Sequence, residues 1–474
     1  MPQQLDSRYD VVIVGGGPAG IAAAVAAGRN GAKTLLVEKL GFLGGEAVTG
    51  LILHGFHNQR GEQVIHGIGG EMLQRLHDQG YAVRRVQMTG NKTTAAAASV
   101  DHEAMKYLTV EMVLEAGADI LFHTVLTDVV MEGNAIKGVV LYNKSGFQTV
   151  LAKTVIDATG DGDVAARAGA RFEKGRSGDG LLQPLTLMFT LAGVDLERVV
   201  KATGLAYGKA AESSGEQKEG QIMWFRVAIA PWAEEAAKEN LFPQVEDKAT
   251  IVFRGNAFRQ GEANMNATFL NYVDGTNALD LARAEIECRR QAVQLTGFLK
   301  RHVPGFEQAY ITRSAPHIGV RESRRIIGDY YLTYDDFLQE AKFEDIIARS
   351  GFFADIHDPK ATGGMHAPGK GETSKAKGDF DVPYRSLLPQ GIEGLILSGR
   401  CVSAAHEAQA SLRVTGPVMA IGQAAGTAAA MAVQVGVTPR QLSIKDLQRR
   451  LIEQGADLHQ GVPLTPIPTP QQHA

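Results

Sequence analysis

The hydrophobic period changes twice within the first forty residues. Tyr9 to Val14 is a short, β-prone apolar run, Pro18 to Asn30 is Ala-rich at helical spacing, and Lys33 to Val37 is apolar and β-prone again. That succession predicts a βαβ unit. The period is helical from Asp101 to Ala116, and the alternating segments Ile120 to Val125, Ala135 to Asn143 and Phe147 to Thr159 read as strands returning to the same domain. Further on, Asn277 to Arg301 predicts a long amphipathic helix, and Thr333 with Asp336 a capping box. Gly394 to Ser398 reads as one more strand and Pro417 to Val433 as an Ala-rich helix.

Breaks in the pattern suggest domain limits. Arg171 to Pro184 turns Gly-rich and charged, and from there to about Asp381 long helices mix with irregular loops. The expected architecture is α/β: a discontinuous Rossmann-like dinucleotide domain from residues 1–185 and 382–458, with an α+β substrate domain inserted at 186–381. Residues 459–474, which carry four prolines, are expected to be a mobile tail. Asp355 to Asp381, rich in Gly, Pro, His and Lys, has the composition of a functional loop such as a lid.

Composition narrows the classes. A chain of 474 residues exceeds one ordinary core, and 44% hydrophobic with 21% charged residues is the mix of a folded globular protein. A net charge of −4 gives no broad attraction to nucleic acid or anionic membrane. Cys288 and Cys401 form neither a CxxC pair nor a zinc spacing, which suits a reducing compartment. The N-terminus lacks the basic and apolar regions of a signal peptide, and no run reaches the roughly 18 apolar residues of a membrane span, so a cytoplasmic location is expected.

Gly15, Gly17 and Gly20 make G-x-G-x-x-G between the first predicted strand and helix, the context in which this motif cradles a pyrophosphate. Gly15 permits the tight turn, Gly17 close approach of the phosphates, and Gly20 helix–strand packing. The helix N-terminus adds free N–H groups and partial positive charge. Glu38 ends the second strand, where it can accept from a ribose diol and disfavour a 2′-phosphate. This unit alone suits NAD or FAD equally.

Three further segments decide between them: GFLGGEAVTG at 41–50, VIDATGDGD at 155–163 and LSGRCVSAAHEAQASLRVTGPVMAIGQAAGTAAA at 397–430. Together they resemble the FAD-dependent oxidoreductases of the two-dinucleotide-binding-domain flavoprotein superfamily, which includes fumarate reductase and tRNA-modifying flavoproteins. The likeness extends through GIGGEMLQRL at 67–76, QPLTLMF at 183–189, IGVRESRRIIGDYYLT at 318–333 and VPYRSLLP at 382–389. It implies FAD lying along Gly44, Gly45 and Thr49, over Ala158, Thr159, Gly160 and Asp161, with backbone at Val125 meeting the adenine. Pro18, Ala19, Lys39, Arg400, Gly416 and Gln423 complete the cofactor residues it implies. The helix begun by Gly416 and Pro417 would point its positive end at the flavin pyrimidine, with Gly422, Ala425 and Gly426 packing it on the sheet. Family members with covalent flavin use a His before the second glycine motif; EKLGFLGG has none, so non-covalent FAD is expected. A second G-x-G-x-x-G is missing as well, leaving the electron donor or acceptor unnamed.

For chemistry the resemblance places His406 and Arg413 beside the flavin, with Glu407 setting the His406 tautomer or pairing with Arg413. A structural polar network is the plainer role for both. Arg321, Arg324 and Arg325 crowd Glu322 between apolar flanks, so at least one arginine is expected to turn inward, to a carboxylate substrate or the flavin, rather than join a surface ion pair. His357 and His366, near Asp355 and Asp358, suit a lid bearing a proton donor; D-x-H-D matches no metal pattern, and no metal is expected. Gln183 and Pro184 are hinge or substrate contacts. The expected function is FAD-dependent hydride transfer between flavin N5 and a small polar or carboxylate-bearing molecule. A non-redox flavin-dependent hydratase or isomerase stays open; a tRNA-modifying enzyme is disfavoured by the charge. No motif fixes the oligomeric state, a homo-oligomer included.

Overall fold

A strand whose residues are buried on both faces needs helices on both sides of its sheet, and Val11 to Val14 are buried without a break. The computed structural model describes residues 7–87, 96–203, 224–228, 232–239, 250–256, 258–360 and 378–459. Arg8–Val14 lies inside a seven-stranded sheet in the order Asp119–Leu121, Thr34–Val37, Arg8–Val14, Gly146–Asp157, Ala135–Asn143, Val125–Glu132. Leu395–Leu397 joins in parallel beside Val155 to Asp157. The central pairs are parallel, Val11 against Thr34 and Val12 against Val155, as right-handed crossovers through helices require. Ile120 to Val125, expected as one strand, is divided at His123, whose φ of 51° turns the chain.

The helix Pro18–Arg29 packs against the helix Thr415–Val435 rather than the latter lying on the sheet through its glycines. A Cβ on Gly422 would overlap the Ala19 carbonyl and one on Gly426 that of Ala23, so these glycines admit a helix, not a strand. Thr415–Val435 does have the length and apolarity to cross a bilayer, contrary to the sequence expectation, but 72% of its apolar window is buried in the protein. Its apolarity serves the core.

The inserted unit is a five-stranded antiparallel sheet ordered Trp224–Ala228, Thr250–Gly255, Ala263–Asn266, Phe189–Ala192, Tyr310–Ser314. The helix Ala278–His302 covers it, burying Leu295, Phe298 and Leu299 against Phe189, Leu191 and Met265. The core of the insert runs from Leu185 to Ile318. Ile326, Leu332, Phe337, Ile346 and Val382 instead join the main core, which moves the return from residue 382 to about residue 320. The reason is pairing: Arg324–Ile326 binds Phe172–Lys174, and Ile346–Ser350 binds Phe380–Pro383. The Thr333–Asp336 capping box is present. Residues 361–377, with His366, and 460–474 lie outside the described residues, whereas His459 is tied to Asp381 at 2.6 Å.

Candidate functional site

The glycine loop separates two reasons for glycine. Gly15 sits at φ 106° with Ala158 where a Cβ would be, and a Cβ on Gly20 would overlap the Gly15 carbonyl. A Cβ on Gly17 would meet no protein atom within 4 Å. Gly15 and Gly20 are thus required by the protein's own packing, while Gly17 keeps space for something else. Gly17 caps the helix without a side-chain hydrogen bond and Pro18 occupies its first turn, so the N–H groups of Ala19 and Gly20 face that space. Gly45 reaches the same place, its Cβ direction 3.2 Å from the Gly17 Cα, and Gly44 N donates to Gly16 O at 2.9 Å. Thr49 is buried and donates to Glu46 O at 2.8 Å, closing this segment.

Glu38 is 7% exposed. Its Oε2 accepts from Gly16 N at 2.6 Å and Oε1 from Leu40 N at 2.8 Å, which leaves each oxygen a lone pair for a diol. Glu38 O accepts from Thr124 N at 3.1 Å and so brings Val125 alongside, while the Lys39 side chain is exposed. Below the loop, Ala158 N donates to Val14 O at 2.9 Å and Thr159 Oγ1 to Asp157 Oδ1 at 2.7 Å. Burial pushes Asp157 up to about 6. An open helix N-terminus, a cradle that a Cβ would fill and an acid at the ribose end fit FAD.

Other expected cofactor residues are engaged elsewhere. The Asp161 carboxylate takes Arg400 Nη2 and Ser323 Oγ, each at 2.7 Å, and Arg400 also donates to Gly160 O, so both charged ends fasten loops together. Gln423 Oε1 accepts from Ile68 N at 2.9 Å and Nε2 donates to Gln454 O, which makes it a tie between helices and corrects its assignment to the cofactor. The last long helix starts at Thr415, and Gly416 N donates to His54 O at 2.8 Å instead of standing free.

A second cluster gathers four distant stretches. His406, first residue of the helix His406–Leu412, places Nδ1 at 2.9 Å from Glu322. The expected partner Glu407 is displaced by a carboxylate 84 residues away in sequence. Glu322 is fully buried, pairs with Arg325, and accepts from Gln183 N at 3.3 Å. Arg325 also donates to Ala404 O at 2.9 Å and Gly175 O at 2.8 Å. Arg324 turns to Asp163 at 2.9 Å. Arg321 is the inward arginine: it donates to Pro184 O at 2.7 Å, and its Cζ lies 5.7 Å from the centre of the Phe269 ring.

Arg413, at the end of the same helix, donates to Asp355 O at 2.6 Å and Asp355 Oδ2 at 3.0 Å. Burial opposes the Asp355 charge, but His357, Arg413 and Arg321 outweigh it and hold the carboxyl far below its usual range. His357 is buried beside it, with Nε2 3.5 Å from Asp355 Oδ1. Burial, then Arg321, drives His357 down to about 4, so it is a neutral acceptor at pH 7 and not the proton-donating lid residue expected. Burial, then the Arg413 charge, brings Arg321 down to about 10.

The cluster adjoins the dinucleotide loop. Glu46, beside Gly45, pairs with His317 at 3.0 Å, and Gly50 faces Met188 and Asn264 of the inserted sheet. Asn266 of that strand accepts from Arg321 at 3.4 Å. Glu322 as the partner of His406 and Asp355 as the partner of Arg413 escaped the sequence reading because 84 and 58 residues of chain separate them. Asp379, Asp381 and His459 also converge, but Arg349 and Lys342 already neutralise the two carboxylates.

Comparison with known proteins agrees with the loop. A thiamine thiazole synthase of Aeropyrum pernix is 32% identical over 212 residues, 42% of this chain and 70% of that protein. One of Methanococcus vannielii is 35% identical over 162 residues, 32% of this chain and 56% of that protein, so the chain spans little more than half of it. An NADH:fumarate oxidoreductase of Klebsiella pneumoniae is 28% identical over 188 residues, 32% of this chain and 20% of that protein. Among solved structures, a geranylgeranyl bacteriochlorophyll reductase-like protein of Thermoplasma acidophilum is 14% identical with a TM-score of 0.44, covering 96% of this chain and 85% of that one. A family profile described as FAD dependent oxidoreductase matches residues 10–451. The chain therefore belongs to the FAD dependent oxidoreductase family, and it is a redox enzyme whose cofactor is FAD.

Proposed function

We propose that this enzyme moves a hydride between N5 of non-covalently held FAD and a small polar or carboxylate-bearing organic substrate seated beside His406. The flavin supplies hydride chemistry when bound. The observation that carries the reading is the buried His406–Glu322 pair at 2.9 Å. A carboxylate on Nδ1 keeps a proton there and leaves Nε2 as the atom that takes or gives one. His406 Nε2 has no hydrogen bond among the described residues. Hydride transfer at carbon requires a proton to be managed at the neighbouring oxygen or nitrogen, and Nε2 suits that task.

Glu322 is itself held by Arg325 and Gln183 N, so the imidazole is fixed in direction as well as tautomer. The cluster is largely buried, with His406 only 4% exposed, which limits water around the group that moves the proton. A cytoplasmic setting suits this reading, because Cys288 and Cys401 are buried free thiols.

The test is anaerobic titration of the yellow holoenzyme with organic acids, alcohols and amines, watching the flavin band near roughly 450 nm. Bleaching by one compound class supports the dehydrogenase direction. A band that no donor bleaches, with turnover only after dithionite reduction, would sink that direction and leave a reductase or a non-redox catalyst.

A further inference from the structure

Around Arg321 the protein presents more positive charge and more hydrogen-bonding capacity than it answers. The Arg321 guanidinium is buried, yet its partners are neutral: Pro184 O at 2.7 Å and Asn266 Oδ1 at 3.4 Å. The nearby carboxylates are committed, Asp355 to Arg413 at 3.0 Å, Glu46 to His317 at 3.0 Å, and Glu322 to Arg325 and His406. Among the described residues no carboxylate forms an ion pair with Arg321. A buried cation is stable only when paired, so the protein's own groups leave one anionic charge wanting.

Four more buried atoms in the same network have no partner: Arg413 Nε, Gln183 Nε2, His357 Nδ1 and Gln409 Oε1. Their characters follow from their other ends. Gln183 Oε1 accepts from His357 N at 3.2 Å, so Nε2 is a donor. Gln409 Nε2 donates to Arg321 O at 3.3 Å, so Oε1 is an acceptor. His357 turns Nε2 toward Asp355 and keeps Nδ1 as an acceptor. Buried polar groups are almost always hydrogen-bonded, and a connected set that is not marks where a ligand belongs.

We infer that this cluster binds a small hydroxy-carboxylate, its carboxylate received by Arg321, Arg413 Nε and Gln183 Nε2, and its hydroxyl bound at His357 Nδ1 or Gln409 Oε1 until His406 Nε2 takes the proton as the hydride leaves. A planar carboxylate suits guanidinium donors. A zwitterionic amino acid would bring no net charge and would set its ammonium among arginines. A neutral alcohol would leave Arg321 unanswered. The inference rests on reading this cluster as the substrate side of the flavin, and it names the substrate class for that site.

The holoenzyme is titrated with glycolate, lactate, malate and mandelate, following the flavin difference spectrum and the melting temperature, with lactamide and propionate as controls. At least one hydroxy acid binds; lactamide, which lacks the charge, binds about 100-fold more weakly than lactate, and propionate, which lacks the hydroxyl, about 10-fold more weakly. Arg321→Met loses about 100-fold in hydroxy-acid affinity at unchanged FAD content, and Arg413→Lys, which keeps the charge without the Nε–H, about 10-fold. If Arg321→Met fails to fold, the lactate–lactamide ratio of the unaltered holoenzyme decides by itself. Equal binding of acid and amide, undiminished binding by Arg321→Met, or no binding by any hydroxy acid overturns the inference. Hydroxy acids that bind through Arg321, bleach no flavin and are not formed from the matching oxo acids by the dithionite-reduced enzyme leave this inference standing and sink the hydride reading; bleaching by neutral alcohols or amines alone does the reverse.

Discussion

The glycine loop and the arginine–histidine cluster are neighbouring parts of one site, built on opposite principles. In the loop the backbone does the binding: Gly15, Gly17 and Gly20 are set by their spacing, and the fit depends on where a Cβ is absent. In the cluster, where we propose that substrate binds, side chains take that part: Gln183, Arg321, Glu322, Asp355, His357, His406 and Arg413 come from four stretches that meet only after folding. The loop therefore tolerates change in almost anything but glycine, whereas each member of the cluster depends on its partners.

Four expectations sharpen or break that contrast. His406→Ala should lower the rate of substrate-dependent flavin reduction by about 10²- to 10⁴-fold, roughly 3–5 kcal/mol, while the yellow colour stays; a stopped-flow rate equal to the parent's would remove His406 from the chemistry. Glu322→Gln leaves the buried Arg325 with only the exposed Glu173, 3.7 Å away, as a counter-charge, and should cost about 3 kcal/mol in chemical denaturation. It should also shift the pH profile of turnover, which a purely structural Glu322 would not do.

The third is a pH effect. His357 falls from 6.5 to about 4 on folding, so below pH 6.5 the unfolded chain takes up a proton that the native state refuses. Its contribution is complete above pH 6.5 and is lost as pH falls towards 4, a total of roughly 3 kcal/mol. Asp157, raised from 3.8 to about 6, acts in the opposite sense, since stability declines as pH rises through that window. The difference between the parent and His357→Gln, measured by denaturation from pH 4 to 7, isolates the histidine; parallel curves would refute its burial as a neutral group.

The smallest effect separates packing from binding within the motif. Gly20→Ala forces a methyl into the Gly15 carbonyl and should cost about 1–3 kcal/mol. Gly17→Ala meets no protein atom and should change apoprotein stability by less than about 1 kcal/mol while FAD retention drops. If both variants lost stability alike, the distinction between the two glycines would be wrong.

Much of the dinucleotide half was legible beforehand because its information is local. Strand, glycine spacing, helix and Glu38 lie within thirty-one residues of chain, and a βαβ unit folds them together in one way. The same locality served the Thr333 capping box. The domain return was misplaced because the polar stretch after Asp355 looks like a boundary, while the strand pairs that draw residues 324–383 into the main core are long-range. Gln423 looked like a cofactor residue from its place in a family segment, yet it faces Ile68 and Gln454 across a helix packing that no single segment encodes.

By itself the sequence determined the α/β class, the FAD loop and the residue types available for catalysis, because period, glycine spacing and composition act over a few residues. Only the tertiary structure decided that His406 answers to Glu322 and not Glu407, that Arg413 is held by Asp355, and that Arg321 is left without a carboxylate. The physical reason is that charge pairing and burial depend on distances in space, which chain separations of 84 and 58 residues do not constrain until the core has closed.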